Sequence, residues 1–199
     1  QAQNFQKTRQ YKEVFPLSDQ MEVSIINKYG DIQVSHWEKD SVMVEVSVEV
    51  NSNKDSKADK LFQSINVNFR ANSFYIIAET SLAGKSSVWN EISDKTKLLF
   101  NSSTTTRINY IVHLPNTAKL TMQNKYGHIY MGDHLGELNI DLSNGDFKAH
   151  YLSGKTFLKV SFGDLYINKL EHAILETTNA EAEIDECIYL ETNTKTSKL

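Results

Sequence analysis

The chain has 199 residues, enough for one substantial domain or two small ones, and carries 21 basic against 25 acidic side chains, a net charge of −4. That balance excludes a nucleic-acid binder working through a basic surface. With two prolines and eight glycines the chain is neither collagen-like nor low in complexity, and no apolar run approaches the roughly 20 residues a membrane-spanning helix needs.

Residues 1–20 show no clear period and read as a leading strand or a loose arm. The opening Gln1-Ala2-Gln3, without methionine, fits a chain from which a signal peptide has been cut. The expectation is an exported protein of the periplasm, cell surface or extracellular space. The terminal Ser197-Lys198-Leu199 also matches a peroxisomal address, a three-residue signal that arises often by chance. Residues 21–50 hold a first strand–turn–strand unit, with Gly30 at its turn, and then a long strand. In that strand Val42, Val44, Val46, Val48 and Val50 point one way and Glu45 and Glu49 the other.

Residues 51–106 form an excursion from this pattern. Ala58–Ile65 reads as a short helix. Ile65–Phe69 and Phe74–Glu79 read as a hairpin around Ala71-Asn72-Ser73. Ser81–Thr106 is polar, with Trp89 and Leu98–Phe100 as its apolar points, and its length marks it as mobile or functional. Strand pattern returns at Arg107–Leu114 and stops at Pro115.

From Leu120 to Leu190 one motif is written four times. Residues 120–131 align without gaps on 138–149 and on 156–167, and a weaker copy closes at Ile184. The turn anchors Gly127, Gly145, Gly163 and Ala180 are spaced by 18, 18 and 17. A second series, Leu135, Leu152, Leu170 and Cys187, is spaced by 17, 18 and 17. Val23–Val34 matches residues 120–131, including an identical Asn-Lys-Tyr-Gly. Within each copy apolar and polar residues alternate, which means strand. A period near 18 predicts a single-stranded right-handed parallel β-helix, a solenoid with about 18-residue rungs and a long antiparallel excursion. With no Gly/Ser linker in the chain, residues 1–199 read as one such domain: 21–50 the first rung and long strand, 51–106 the excursion, 107–190 the stacked rungs. The glycines are expected to permit the turns through positive φ, with Asn144, Asn27 and Asn124 assisting by side-chain to backbone hydrogen bonds. Cys187, the only cysteine, takes the place of a core leucine and reads as a small buried hydrophobe.

The run Ile108–Pro115, the copy at Leu120–Met131, Leu142-Ser-Asn-Gly-Asp-Phe147 and the early Asn27–Ile32 followed by Trp37 together resemble the bacterial putative-adhesin family of β-helix domains. The resemblance spans about residues 20–190. It implies an exported protein with a right-handed parallel β-helix, and it brings no catalytic residues with it.

Stacked copies place equivalent side chains in rows. The position after each turn glycine gives His128, Asp146, Asp164 and Glu181, and two residues further on stand Tyr130, Lys148, Tyr166 and Glu183. Carboxylates at strand spacing repel one another and can recruit a cation, so a weak surface calcium site is one reading, with no other cofactor expected. Tyrosines beside them can stack on sugar rings. Outward positions must be polar in any case, so a merely solvated face accounts for the same residues. The histidines lack His-Glu-x-x-His spacing and no Gly-x-Ser-x-Gly elbow occurs. The leading expectation is a non-enzymatic, adhesin-like protein binding a surface glycan or a protein partner through Asp146, Asp164, Glu181, His128, Tyr130 and Tyr166. His36-Trp37 and Trp89 are further contact candidates. One alternative is a polysaccharide-cleaving β-helix enzyme using Asp141, Asp146 and Asp164 as acid and base. Another is a structural or regulatory envelope protein working through the excursion. An open edge on the last rung also predicts edge-mediated homodimers.

Overall fold

The computed structural model describes residues 4–82 and 104–198. The expected contacts of Trp89 and Leu98–Phe100 fall outside them. In chain order the strands are β1 (Phe5–Pro16), β2 (Glu22–Lys28), β3 (Ile32–His36) and β4 (Ser41–Ser52), then helix α1 (Asp55–Ser64). Next come β5 (Ile65–Ala71), β6 (Tyr75–Leu82), β7 (Thr104–Leu114), β8 (Lys119–Lys125), β9 (Ile129–His134) and β10 (Leu138–Ser143). Three long strands finish the chain: β11 (Phe147–Ser161), β12 (Leu165–Thr178) and β13 (Ala182–Lys195).

The architecture is all-β, but it is not the single-stranded right-handed parallel β-helix that the spacing predicts. The thirteen strands form one mixed sheet that curls into a nearly closed barrel. Its order is β1-β4-β7-β3-β9-β11-β10-β8-β2-β6-β5, with β12 on β11 and β13 on β12. The β1–β4, β4–β7 and β5–β6 ladders are antiparallel. The β3–β9–β11 and β2–β8–β10–β11 ladders are parallel. The antiparallel arms continue the same sheet: β7 pairs β3 and β6 pairs β2, so they are wall strands and no excursion from a separate stack. Spacing along the chain encodes the offset between parallel neighbours. It carries no information about how a distant strand such as β1 will run.

The core is one continuous cluster. The alternating valines of β4 are buried, and Val44, Val46 and Val48 stand opposite Val112, Tyr110 and Ile108 of β7. Leu120, Leu138, Ile140, Leu142, Leu158 and Leu175 are sealed in the same way from the parallel strands. Each such side chain contributes about 1.5–3 kcal/mol on leaving water. Residues 5–16, without a readable period, form β1. Its Tyr11 and Phe15 rings pack on Phe69 of β5 at 6.4 and 6.3 Å between centroids, drawing the two ends of the sheet order together. Helix α1 buries Ala58 and Leu61 on one face, and its Asp55 and Asp59 both hold Lys7 of β1 at 3.0 Å.

Two local expectations need correction. The turn glycines do not supply the positive φ. That falls one residue earlier, on Tyr29, Tyr126, Asn144, Phe162 and Asn179, at 70°, 63°, 58°, 57° and 50°. The glycines serve close approach: a Cβ on Gly145 would lie 2.0 Å from the Gly127 carbonyl oxygen, and one on Gly163 1.9 Å from that of Gly145. Cys187 is exposed, not buried. Leu135 is 40% exposed, and the residue registered with Leu152 in the core row is His134.

Candidate functional site

The parallel register brings the expected row together, and its geometry gives the carboxylates a structural task. The backbone N–H after each turn donates to a side chain on the neighbouring strand. Asn109 Oδ1 accepts from Asp31 N at 3.0 Å, and Asp31 Oδ1 accepts from His128 N at 2.8 Å. His128 Nδ1 accepts from Asp146 N at 3.0 Å, Asp146 Oδ1 from Asp164 N at 3.0 Å, and Asp164 Oδ1 from Glu181 N at 3.1 Å. Lys198 Nζ completes the line on Glu181 Oε1 at 2.6 Å. Because a backbone N–H can only donate, His128 carries its proton on Nε2, even though Asp146 Oδ2 lies 3.3 Å from Nδ1. The row is a spine of side-chain to backbone bonds joining successive turns.

Inside the same turns, Asn27 Nδ2 donates to the Ile108 and Gly30 carbonyls at 2.8 and 3.2 Å. Asn124 Nδ2 donates to the Gly30 carbonyl at 2.9 Å. Both asparagines are fully buried, so the assistance expected of them is present. Asn144 contributes by adopting positive φ.

Beside the spine lies an open groove of about 480 Å³ across β3, β9, β11, β12 and β13. Its floor is a registered row: Gln33 opposite Tyr130, Tyr130 opposite Lys148, Lys148 opposite Tyr166 and Tyr166 opposite Glu183. Tyr130 and Tyr166 are exposed, at 37% and 36%. Lys148 Nζ sits 4.9 Å from the Tyr166 ring centroid. Gly132 leaves the groove open next to Tyr130, where a Cβ would touch nothing. Asn168, which donates to Asp185 Oδ2 at 2.8 Å, lines the far side with it. Burial, and then the Asp31 and Asp146 carboxylates, push the Tyr130 phenol upward. Tyr166 moves the same way, chiefly through the charge of Asp164. Both phenols stay neutral donors at ordinary pH.

No family model and no curated protein matches the sequence. Among solved structures, a putative cell adhesion protein from Clostridium sporogenes is similar over 96% of this chain and 100% of its own, with 10% identity and a TM-score of 0.48. A putative adhesin from Bacteroides fragilis covers 96% of this chain and 95% of its own, at 8% identity and a TM-score of 0.29. A putative lipid binding protein from Parabacteroides distasonis covers 96% of both chains, at 11% identity and a TM-score of 0.26.

The structure separates the residues named for catalysis. Asp146 and Asp164 adjoin in the spine, while Asp141 stands in another row, opposite Lys159 and 3.8 Å from its ammonium. Among the described residues no three His, Cys, Asp or Glu side chains are grouped to hold a metal ion, and no helix is long and apolar enough to cross a membrane. His36 and Trp37 belong to a different neighbourhood. His36 Nε2 lies 3.2 Å from buried His134 Nδ1, and Trp37 donates from Nε1 to the Ser41 carbonyl at 2.8 Å. Sequence reasoning missed Gln33, Asn168 and Asp185 in the groove. The two-residue offset that found Tyr130 also points to Gln33 from Asp31. Two more residues reach Gly132 from Tyr130, and Asn168 from Tyr166.

Proposed function

We propose that the protein is an exported, non-enzymatic binding protein of the adhesin type, and that it holds a surface glycan on the face around Tyr130 and Tyr166. One observation carries this reading: two exposed tyrosines share an open groove whose rim presents amide, ammonium and carboxylate groups. Sugar recognition joins the same two elements, a flat aromatic surface for C–H faces and polar groups for hydroxyls. In the spine Asp146 and Asp164 each give one oxygen to a backbone N–H, a structural task that accounts for their place in the row.

A glycan array run with and without calcium tests the proposal. Hits are expected to be indifferent to calcium, because among the described residues no three His, Cys, Asp or Glu side chains are grouped to hold a metal ion. They should fall at least tenfold in Tyr130→Ala/Tyr166→Ala. A blank array, or hits that the double substitution leaves unchanged, would overturn the reading.

A further inference from the structure

We infer that this face is built for a neutral, β-1,4-linked glycan in its extended form, lying across the strands with one sugar per strand. The inference rests on the proposed function and names the ligand class. Two rows of residues flank the spine. At the turns stand Tyr126, Asn144, Phe162 and Asn179; in the groove stand Tyr130, Lys148, Tyr166 and Glu183. The groove row reads aromatic, polar, aromatic, polar; the turn row does so only from Tyr126 onward, because Tyr29 sets a second ring directly beside Tyr126. Neighbouring strands lie about 4.8 Å apart, so aromatic rings recur at about 9.6 Å in the groove row.

An equatorially β-1,4-linked chain has the matching symmetry. Each sugar is turned over relative to the one before, so the same face returns at every second residue, after about two strand spacings. A sugar over Tyr130 and the next but one over Tyr166 therefore present the same apolar face. The flipped sugar between them turns its opposite face down and brings its edge hydroxyls within reach of Lys148, whose ammonium leaves the Tyr166 ring when that ring is covered. An α-1,4-linked chain coils and loses this register. From Tyr126 to Asn179 the turn row repeats the period beside the groove. Tyr126 and Phe162 keep left-handed backbone there. Tyr126 also stacks on Tyr29 at 5.5 Å with 7° between ring planes.

Charge narrows the class further. Glu183 and Asp185 line the groove and the charges of Asp146 and Asp164 act on Tyr166 beside it, while among the described residues Lys148 is the only cation in the lining. A polyanionic glycan of the same linkage would meet like charge along its length.

Calorimetric titration with cellohexaose, chitohexaose, maltohexaose and a β-1,4-linked hexamannuronate tests the inference. One or both of the first two should bind, with maltohexaose and hexamannuronate at least tenfold weaker. Tyr166→Ala should weaken the bound hexaose about tenfold while Tyr166→Phe retains it, both with unchanged thermal unfolding. Affinity should step up between disaccharide and trisaccharide, the first length that reaches both tyrosines. If maltohexaose or hexamannuronate binds as well as the neutral β-1,4 hexaoses, and still depends on Tyr166, the linkage inference fails and the glycan face stands. If no hexaose binds and the Tyr130→Ala/Tyr166→Ala protein gives the parent's array profile, both fail.

Discussion

Gly145 and Gly132 show how differently one residue type is used. A methyl group on Gly145 would lie 2.0 Å from a backbone carbonyl oxygen of the adjacent turn, which cannot move without breaking its own ladder. Gly145→Ala is expected to lose about 3 kcal/mol or more in urea unfolding. Gly132→Ala should change stability by no more than about 0.5 kcal/mol, because its methyl group meets open space. That same methyl group narrows the groove, so glycan hits should weaken without loss of fold. The repeat spacing located the turns at Gly127, Gly145, Gly163 and Ala180. It could not say why glycine stands there, because crowding by a neighbouring strand has no local signature. His134 was hidden for a similar reason. Leu135 beside it is the better hydrophobe, so periodicity selected Leu135, while the register buries the histidine opposite Leu152.

Among the elements, the turns between β8 and β9, β10 and β11, and within the β11–β12 connection are tied by the spine. Asp146 and Asp164 serve these turns as acceptors for backbone N–H groups. Asp146→Ala removes the partner of the Asp164 N–H, and a lost bond of this kind costs about 1–2 kcal/mol. Asp146→Asn keeps an oxygen in the same place and should recover most of that stability. Hydrogen exchange read at the Asp164 amide separates the two: faster in the alanine protein, near the parent rate in the asparagine protein. Equal rates in both would mean the spine is ornamental. The row itself was legible, since four residues follow four turn anchors. Its purpose was not, because a repeating acidic position looks the same in a cation site, a solvated face and a chain of backbone acceptors. The groove was half legible: Tyr130, Lys148, Tyr166 and Glu183 came from spacing, while Gln33 and Gly132 became neighbours only through the β3–β9 pairing.

For the whole molecule, the sequence showed strand content and parallel offsets, and it misjudged closure. The hydrophobic pattern of β4 says that one side is buried, without saying that β1 and β7 flank it antiparallel. The barrel's near-closure also explains where acid should act. His134 ends β9 inside the core, 3.2 Å from His36 at the end of β3, so the pair links two wall strands. Its Nε2 has no hydrogen-bond partner among the described residues. Burial, and then the neighbouring His36, push His134 down to about 4; burial also lowers His36, against a smaller upward pull from Asp133. An unfolded histidine titrates near 6.5, so as pH falls the unfolded chain takes up the proton first. The stability from keeping His134 neutral is whole above about 6.5, drains as pH falls toward about 4, and is spent below that. A shift of this size corresponds to a loss of order 3 kcal/mol across the window. Chemical unfolding at a series of pH values should show this slope in the parent. His134→Leu, which fills the same core row without a titrating group, should flatten it; an undiminished slope in that variant would place the acid sensitivity elsewhere in the barrel.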